Sequence, residues 1–137
     1  LVLCSDETAK QRGLQPLAKI IASASNSQHP SEFTIAPVGA VKKVLDKAGW
    51  TAADVDLWEI NEAFAMVTMC PIDEFGLDPE KVNIHGGACA LGHPVGSTGS
   101  RIILTLIHAL KRTGGHKGIA ALCIGGGEAT AVAIEIL

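Results

Sequence analysis

The chain has 137 residues, 47% of them apolar and 18% charged, which is the size and composition of one folded domain. Eleven basic side chains against 14 acidic ones leave a formal net charge of -3, and no basic block interrupts the sequence, so a general nucleic-acid surface is excluded. Mean hydropathy is +0.31, yet no apolar run approaches the roughly 20 residues that a membrane-crossing helix needs. Fifteen glycines, no tyrosine, two tryptophans and three phenylalanines describe a core of small aliphatic groups, the usual lining of parallel sheets covered by helices. The four cysteines, Cys4, Cys70, Cys89 and Cys123, lie far apart without a C-x-x-C pair. That usage points to a reduced compartment, cytoplasmic or mitochondrial.

Leu1 to Cys4 reads as a strand, and because Leu1 is not a start methionine the true N-terminus is expected upstream, with any targeting signal. Asp6 to Arg12 is a short polar helix that Gly13 ends, and Leu17 to Ala22 is an apolar run suited to a buried strand. After a loop over Asn26 to Pro30, Pro37 opens a helix with Val38, Val41, Val44, Leu45 and Ala48 on one face and Lys42, Lys43, Asp46 and Lys47 opposite, closed by Gly49. Thr51 and Asp54 are spaced as a capping box, and Val55 to Ile60 (V-D-L-W-E-I) alternates as a strand. Asn61 and Glu62 then open a third helical run that Pro71 should kink or end early. Lys81 to His85 predicts a short strand, Gly86 to Ser100 a glycine-rich crossing, and Arg101 to Lys111 a helix that Gly114 and Gly115 end. Gly118 to Ile124 and Ala129 to Leu137 are two apolar strands, joined by a connection short enough only for a hairpin.

This order is an α/β domain of the pattern βαβαβαββ, a mixed sheet covered by helices on both faces. In such sheets a ligand crevice lies at the carboxyl ends of the strands. Three strand ends therefore matter: Asn61, the Gly86 to Ser100 crossing, and Cys123 to Gly127. Pro94 pushes His93 out of helical geometry, so its imidazole sits on an extended link before a helix, where it could act as a general base or oxyanion donor. A loop histidine bonded to a carbonyl would read the same way. Cys123 is followed by three glycines, so a ligand can approach its thiol closely and backbone N–H groups can converge there. A packed core cysteine is the alternative. Asn61 fits a helix N-cap as well as it fits a group that donates to a carbonyl oxygen or fixes a water.

Other matches fail. His85, Cys89 and His93 recur every fourth residue, but Gly86, Gly87, Gly92 and Pro94 argue against the helix that would make them a metal face, and no metal is expected. Gly92 to Ser100 lacks the lysine of a phosphate loop, and Gly125-Gly126-Gly127 lacks the full dinucleotide fingerprint.

Three blocks in order, N-E-A-F-A over residues 61–65, G-G-A-C-A-L-G-H-P over 86–94 with Gly96, Gly99 and Arg101, and C-I-G-G-G over 123–127, resemble the thiolase family. The intervening segments Pro37 to Val41, Ala48 to Trp50 and Asp78 to Asn83 resemble it too. The resemblance implies the C-terminal part of the thiolase fold, with residues 1–16 the tail of an N-terminal domain (its last strand and helix) and residues 17–137 the C-terminal domain. It implies reversible Claisen condensation of acetyl-CoA to acetoacetyl-CoA, with coenzyme A thioesters as substrates and no other cofactor. Cys123 would be the acid/base at the α-carbon. His93 would activate a nucleophilic thiol and, with a water on Asn61, stabilise the enolate oxygen. Gly125 would give an N–H to a second oxyanion hole, and Ala63 and Phe64 would line the pantetheine channel. Deprotonating a thioester α-carbon near neutral pH calls for a base of lowered pKa. The family's acylated cysteine lies upstream, so these residues alone are expected to be inactive, with the N-terminal half and a homodimer or homotetramer as partners. Cys89, where the family commonly has an aliphatic residue, is expected to pack. A degradative 3-ketoacyl-CoA thiolase and a non-catalytic, partner-binding half are the alternatives.

Overall fold

Alanine and glycine decide how closely helices approach the sheet of this chain. The computed structural model describes residues 1–137. At the sheet's centre, β3 (Lys117–Ile124) and β4 (Glu128–Ile136) form the expected antiparallel hairpin. Antiparallel β1 (Ala18–Ser27) flanks β4, parallel β2 (Leu57–Ile60) flanks β3, and the order is β1-β4-β3-β2. The sheet is thus mixed, and a helix covers each face.

Side-chain alternation divides the core in two. Ile119 and Ala121 of β3 and Ala129, Ala131 and Ala133 of β4 turn toward α2 (Ala36–Ala48), against its buried Ala40, Val41, Val44 and Leu45. A row of alanines lets that helix lie close. Gly49 ends it in the left-handed region, at φ 69°. On the other face Ala120, Leu57 and Ile134 meet Ile102, Leu106 and Leu110 of α5 (Thr98–Thr113). Here the fit is tighter, because a Cβ on Gly118 would lie 2.9 Å from the Leu106 side chain. The remaining helices are α1 (Asp6–Gln11), capped by Ser5, α3 (Ala65–Phe75), and the single turn α4 (Ala88–Leu91).

Four expectations need correction. Leu1 to Cys4 forms no strand. The strand expected over Lys81 to His85 contracts to one bridge between Val82 and Trp58. Asn83 explains why: it adopts φ 50°, and its carboxamide, instead of a continuing backbone, accepts from Ile60 N and donates to Ile60 O, both at 2.8 Å. β1 runs on to Ser27, because alternation of alanine with serine or asparagine pairs it with nearly the whole of β4. Pro71 lies inside α3 without ending it. Burial of Val67, Thr68 and Pro71 itself, and a hydrogen bond from the Thr68 hydroxyl to Ile60 O at 3.3 Å, hold the helix across the missing N–H.

Leu106 is fully buried opposite Gly118. In the full-length protein, Leu106→Ala is expected to cost about 2–5 kcal/mol of stability, read from urea unfolding; a loss under about 1 kcal/mol would contradict this packing.

Candidate active site

The pairing of β2 with β3 builds the floor of the site. All four residues of β2 are buried, Ile60 lies opposite Ala121, and Asn61 N donates to Ala121 O at 2.9 Å, carrying the ladder one residue past the strand. Asn61 therefore leaves β2 beside the last residues of β3, where Cys123 is buried. It is not a helix cap. The chain turns through a bond from Ala63 N to Asn61 O, and α3 begins only at Ala65, with Phe64 as its cap residue. The Asn61 carboxamide is wholly buried, and neither its nitrogen nor its oxygen has a hydrogen-bond partner. Leaving both unpaired costs on the order of 1–3 kcal/mol each, so a fold that retains this group keeps it for something other than stability.

His93 reaches the same end of the sheet from the crossing before α5. Its Nδ1 lies 2.7 Å from the hydroxyl of Thr98, a fully buried residue in the first turn of α5 whose hydroxyl is also 3.1 Å from Pro94 O. One ring nitrogen is thus occupied by the scaffold, while Nε2 faces no protein partner. The third strand end is fixed by close backbone approach. Gln28 N donates to Gly127 O at 3.0 Å, and a Cβ on Gly127 would collide with the carbonyls of Gln28 and His29, so the turn that carries Gly125 lies against that backbone only because position 127 is glycine. Phe64 is 60% exposed and meets Phe33 edge to face at 6.1 Å, with half-buried Ala63 just before it. Asn61 follows the end of β2, Cys123 and Gly125 stand at the end of β3 and in its turn, and His93 precedes α5, so the four come from three segments at the carboxyl end of the parallel pair, with no hydrogen bond joining one to another.

Two expectations about cysteines change. Burial pushes the Cys123 thiol above its ordinary value, and no cation lies against it to oppose this, so the lowered pKa expected of it is not found. Cys89 does not pack; it is exposed on α4, and its N–H donates to Glu62 Oε2 at 2.9 Å.

Glu62, Asn83, Thr98 and the pair Glu59–Arg101 were not legible as parts of this site. Glu59 alternates within V-D-L-W-E-I as though solvated, yet it is only 2% exposed, facing Arg101 Nη1 at 3.4 Å from its Oε2. Nε and Nη2 of Arg101 are buried without partners. Burial raises the Glu59 carboxyl to about 7, with Arg101 opposing and Glu62 adding to the rise. A charged residue in a buried strand and a basic residue opening an apolar helix were the available signal.

A carboxyl whose folded pKa is raised contributes stability that is fully present below its unfolded value and is lost as pH climbs to about 7. Glu59→Gln removes that titration. Relative to the parent, this variant is expected to gain in stability between about pH 4.5 and pH 7, by up to about 3 kcal/mol, and to show no further gain above; a gap independent of pH in urea unfolding would contradict the burial.

The family model described as thiolase, C-terminal domain, matches residues 14–136. Cytosolic acetyl-CoA acetyltransferase of Mus musculus is 50% identical over 135 residues, 98% of this chain and 34% of that protein. The crystal structure of Acat5 thiolase from Ascaris suum in complex with coenzyme A superposes with a TM-score of 0.91 at 46% identity, covering 97% of this chain and 34% of that one. Human mitochondrial 3-ketoacyl-CoA thiolase gives a TM-score of 0.93 at 42% identity over the same shares. The chain spans about a third of the length of these relatives, and sheet, hairpin and covering helices follow theirs. It belongs to the thiolase family, through the C-terminal domain of that fold.

Proposed function

We propose that the protein containing this chain catalyses reversible Claisen condensation of acetyl-CoA to acetoacetyl-CoA, and that these residues supply its acid/base and oxyanion groups. The observation that carries the reading is the buried, unpartnered carboxamide of Asn61, one residue past the end of β2. An amide so placed holds a water or a carbonyl oxygen where charge develops. The names of the relatives, acetyl-CoA acetyltransferase and a thiolase in complex with coenzyme A, support the substrate class.

In condensation, the Cys123 sulfur takes the α-proton of acetyl-CoA, and negative charge passes to the thioester oxygen. His93, with the water on Asn61, stabilises that oxygen. The carbanion attacks an acyl group carried on a cysteine of the N-terminal half, whose thiol is released; Gly125 N–H receives the oxyanion of this second step. In cleavage the Cys123 thiol returns its proton to the carbanion. Burial keeps Cys123 in that protonated form, so it supplies the acid in cleavage, and by microscopic reversibility condensation starts from its thiolate. His93 activates the nucleophilic cysteine through Nε2, since Nδ1 is bonded to Thr98. Exposed Phe64 and half-buried Ala63 line the way in for the pantetheine arm. The reading assigns no cofactor besides the thioester substrate.

Residues 1–16 belong, in this reading, to the end of the N-terminal domain and residues 17–137 to the C-terminal one. Leu1, Val2, Leu3, Leu14, Leu17 and Leu137 are exposed apolar side chains along a groove of about 730 Å³, which suits cover by the upstream half. A homodimer or homotetramer and a cytoplasmic or mitochondrial location complete the assignment. Relatives occur in cytosolic and mitochondrial forms, and no helix here is long and apolar enough to cross a membrane.

In the full-length protein, Cys123→Ala is expected to lower condensation turnover by at least about a hundredfold with an unchanged circular-dichroism spectrum. Wild-type turnover in that variant would overturn the assignment. Thiolysis assayed against acyl length separates this reading from a 3-ketoacyl-CoA thiolase acting on longer chains, the activity named for the human relative.

A further inference from the structure

Glu62 follows Asn61 and has no helix of its own to cap, since α3 starts three residues later. Its carboxylate reaches across instead to the crossing that carries His93. Oε2 accepts from Cys89 N at 2.9 Å, and Oε1 lies 3.4 Å from Asn83 Nδ2, the same amide that clamps Ile60 O. Gly87 is buried there for a steric reason: a Cβ on it would occupy the space already filled by the Glu62 carboxylate. From Cys89 the path to His93 is short and stiff. It runs through the single turn of α4, closed by Gly92 N on Ala88 O at 2.8 Å, then through Gly92 at φ 89° to the imidazole. Thr98 holds the ring from the other side.

We propose that Glu62 is a positioning residue whose carboxylate latches the 86–92 crossing onto the end of β2 and so fixes the imidazole of His93 relative to the carboxamide of Asn61. The two groups come from segments more than thirty residues apart in sequence, and the carboxylate is the side chain that bonds the backbone of one while sitting next to the other. This inference rests on the reading of Asn61 and His93 as parts of one thioester site. Glycine at position 87 is then a requirement of the latch.

The same contact has a second consequence that does not depend on the reaction. The neighbouring Glu62 carboxylate pushes the exposed Cys89 thiol above its ordinary value, so Cys89 reports on whether the carboxylate is in place.

The test is a double-mutant cycle in the full-length protein. Glu62→Ala is expected to lower kcat by about tenfold or more, as misplacement of a catalytic group does, with KM changed by less than about twofold. Glu62→Gln, which keeps an acceptor for Cys89 N, restores most of kcat. Gly87→Ala displaces the carboxylate and loses a similar factor. The double variant Glu62→Ala/Gly87→Ala is no worse than either single one, because the new methyl enters the space the carboxylate left. Alkylation of Cys89 by iodoacetamide at fixed pH speeds up in all four variants. Multiplying losses in the double variant, or Cys89 alkylation unchanged by loss of the carboxylate, would overturn the latch. If the parent turns over no thioester, the functional reading fails, while the alkylation rates still decide whether the Glu62 carboxylate lies against Cys89 of the crossing.

Discussion

Everything at the active end depends on four paired residues. β2 is short and fully buried, and its parallel register with β3, Ile60 against Ala121, delivers Asn61 to the strand end where Cys123 lies. Parallel pairs need a long crossover, here the whole stretch from Asn61 to His116. That stretch contains α3, the Asn83 clamp, α4, His93 and α5. The crossover is therefore both the connection that topology demands and the carrier of the site, which is why the conformation of a loop is fixed by so many side-chain bonds to the strand it leaves. A slip of one residue between β2 and β3 would turn Ile60 out of the α2 core and bring Glu59 into it.

Beneath the site the fold gathers polar groups away from the surface. Glu59, Asn61 and Thr98 are buried, and two nitrogens of Arg101 are buried without partners. A single ion pair at 3.4 Å does not offset the desolvation of both charges, as the raised carboxyl of Glu59 shows. Such groups stabilise the fold poorly. In a dry setting, however, fixed dipoles and charges act strongly on any charge that forms nearby, and they need no reorganisation when it does.

The sequence made the frame legible where local chemistry and tertiary packing agree. The apolar stripe of α2, the left-handed glycine after it, the terminal hairpin and the glycine-rich turn after Cys123 could all be read from spacing alone. It misled where a distant side chain replaced a backbone partner. Lys81 to His85 looked like a strand, but Asn83 takes over its pairing. Asn61 and Glu62 looked like a helix start, but one is buried at the strand end and the other bonds a segment 27 residues on. Pro71 looked like a stop, but packing outweighs one lost hydrogen bond. Glu59 looked solvated, because alternation says which face a residue occupies and not whether that face is covered. Each error has the same origin: the interaction that decided the outcome joins positions far apart in the chain, where periodicity and capping rules carry no information.

The glycines show how close packing and chemistry are linked. Gly118 lets α5 lie against β3, which sets where Thr98 and hence His93 stand. Gly127 lets the Cys123 turn press on the 28–29 carbonyls, and Gly87 makes room for a carboxylate. None of the three is among the residues proposed for the chemistry. Each removes a methyl group that would separate two segments, and the three contacts so gained fix the heights of the three strand ends relative to one another. The close positioning that the proposed chemistry requires thus rests on absent side chains as much as on present ones.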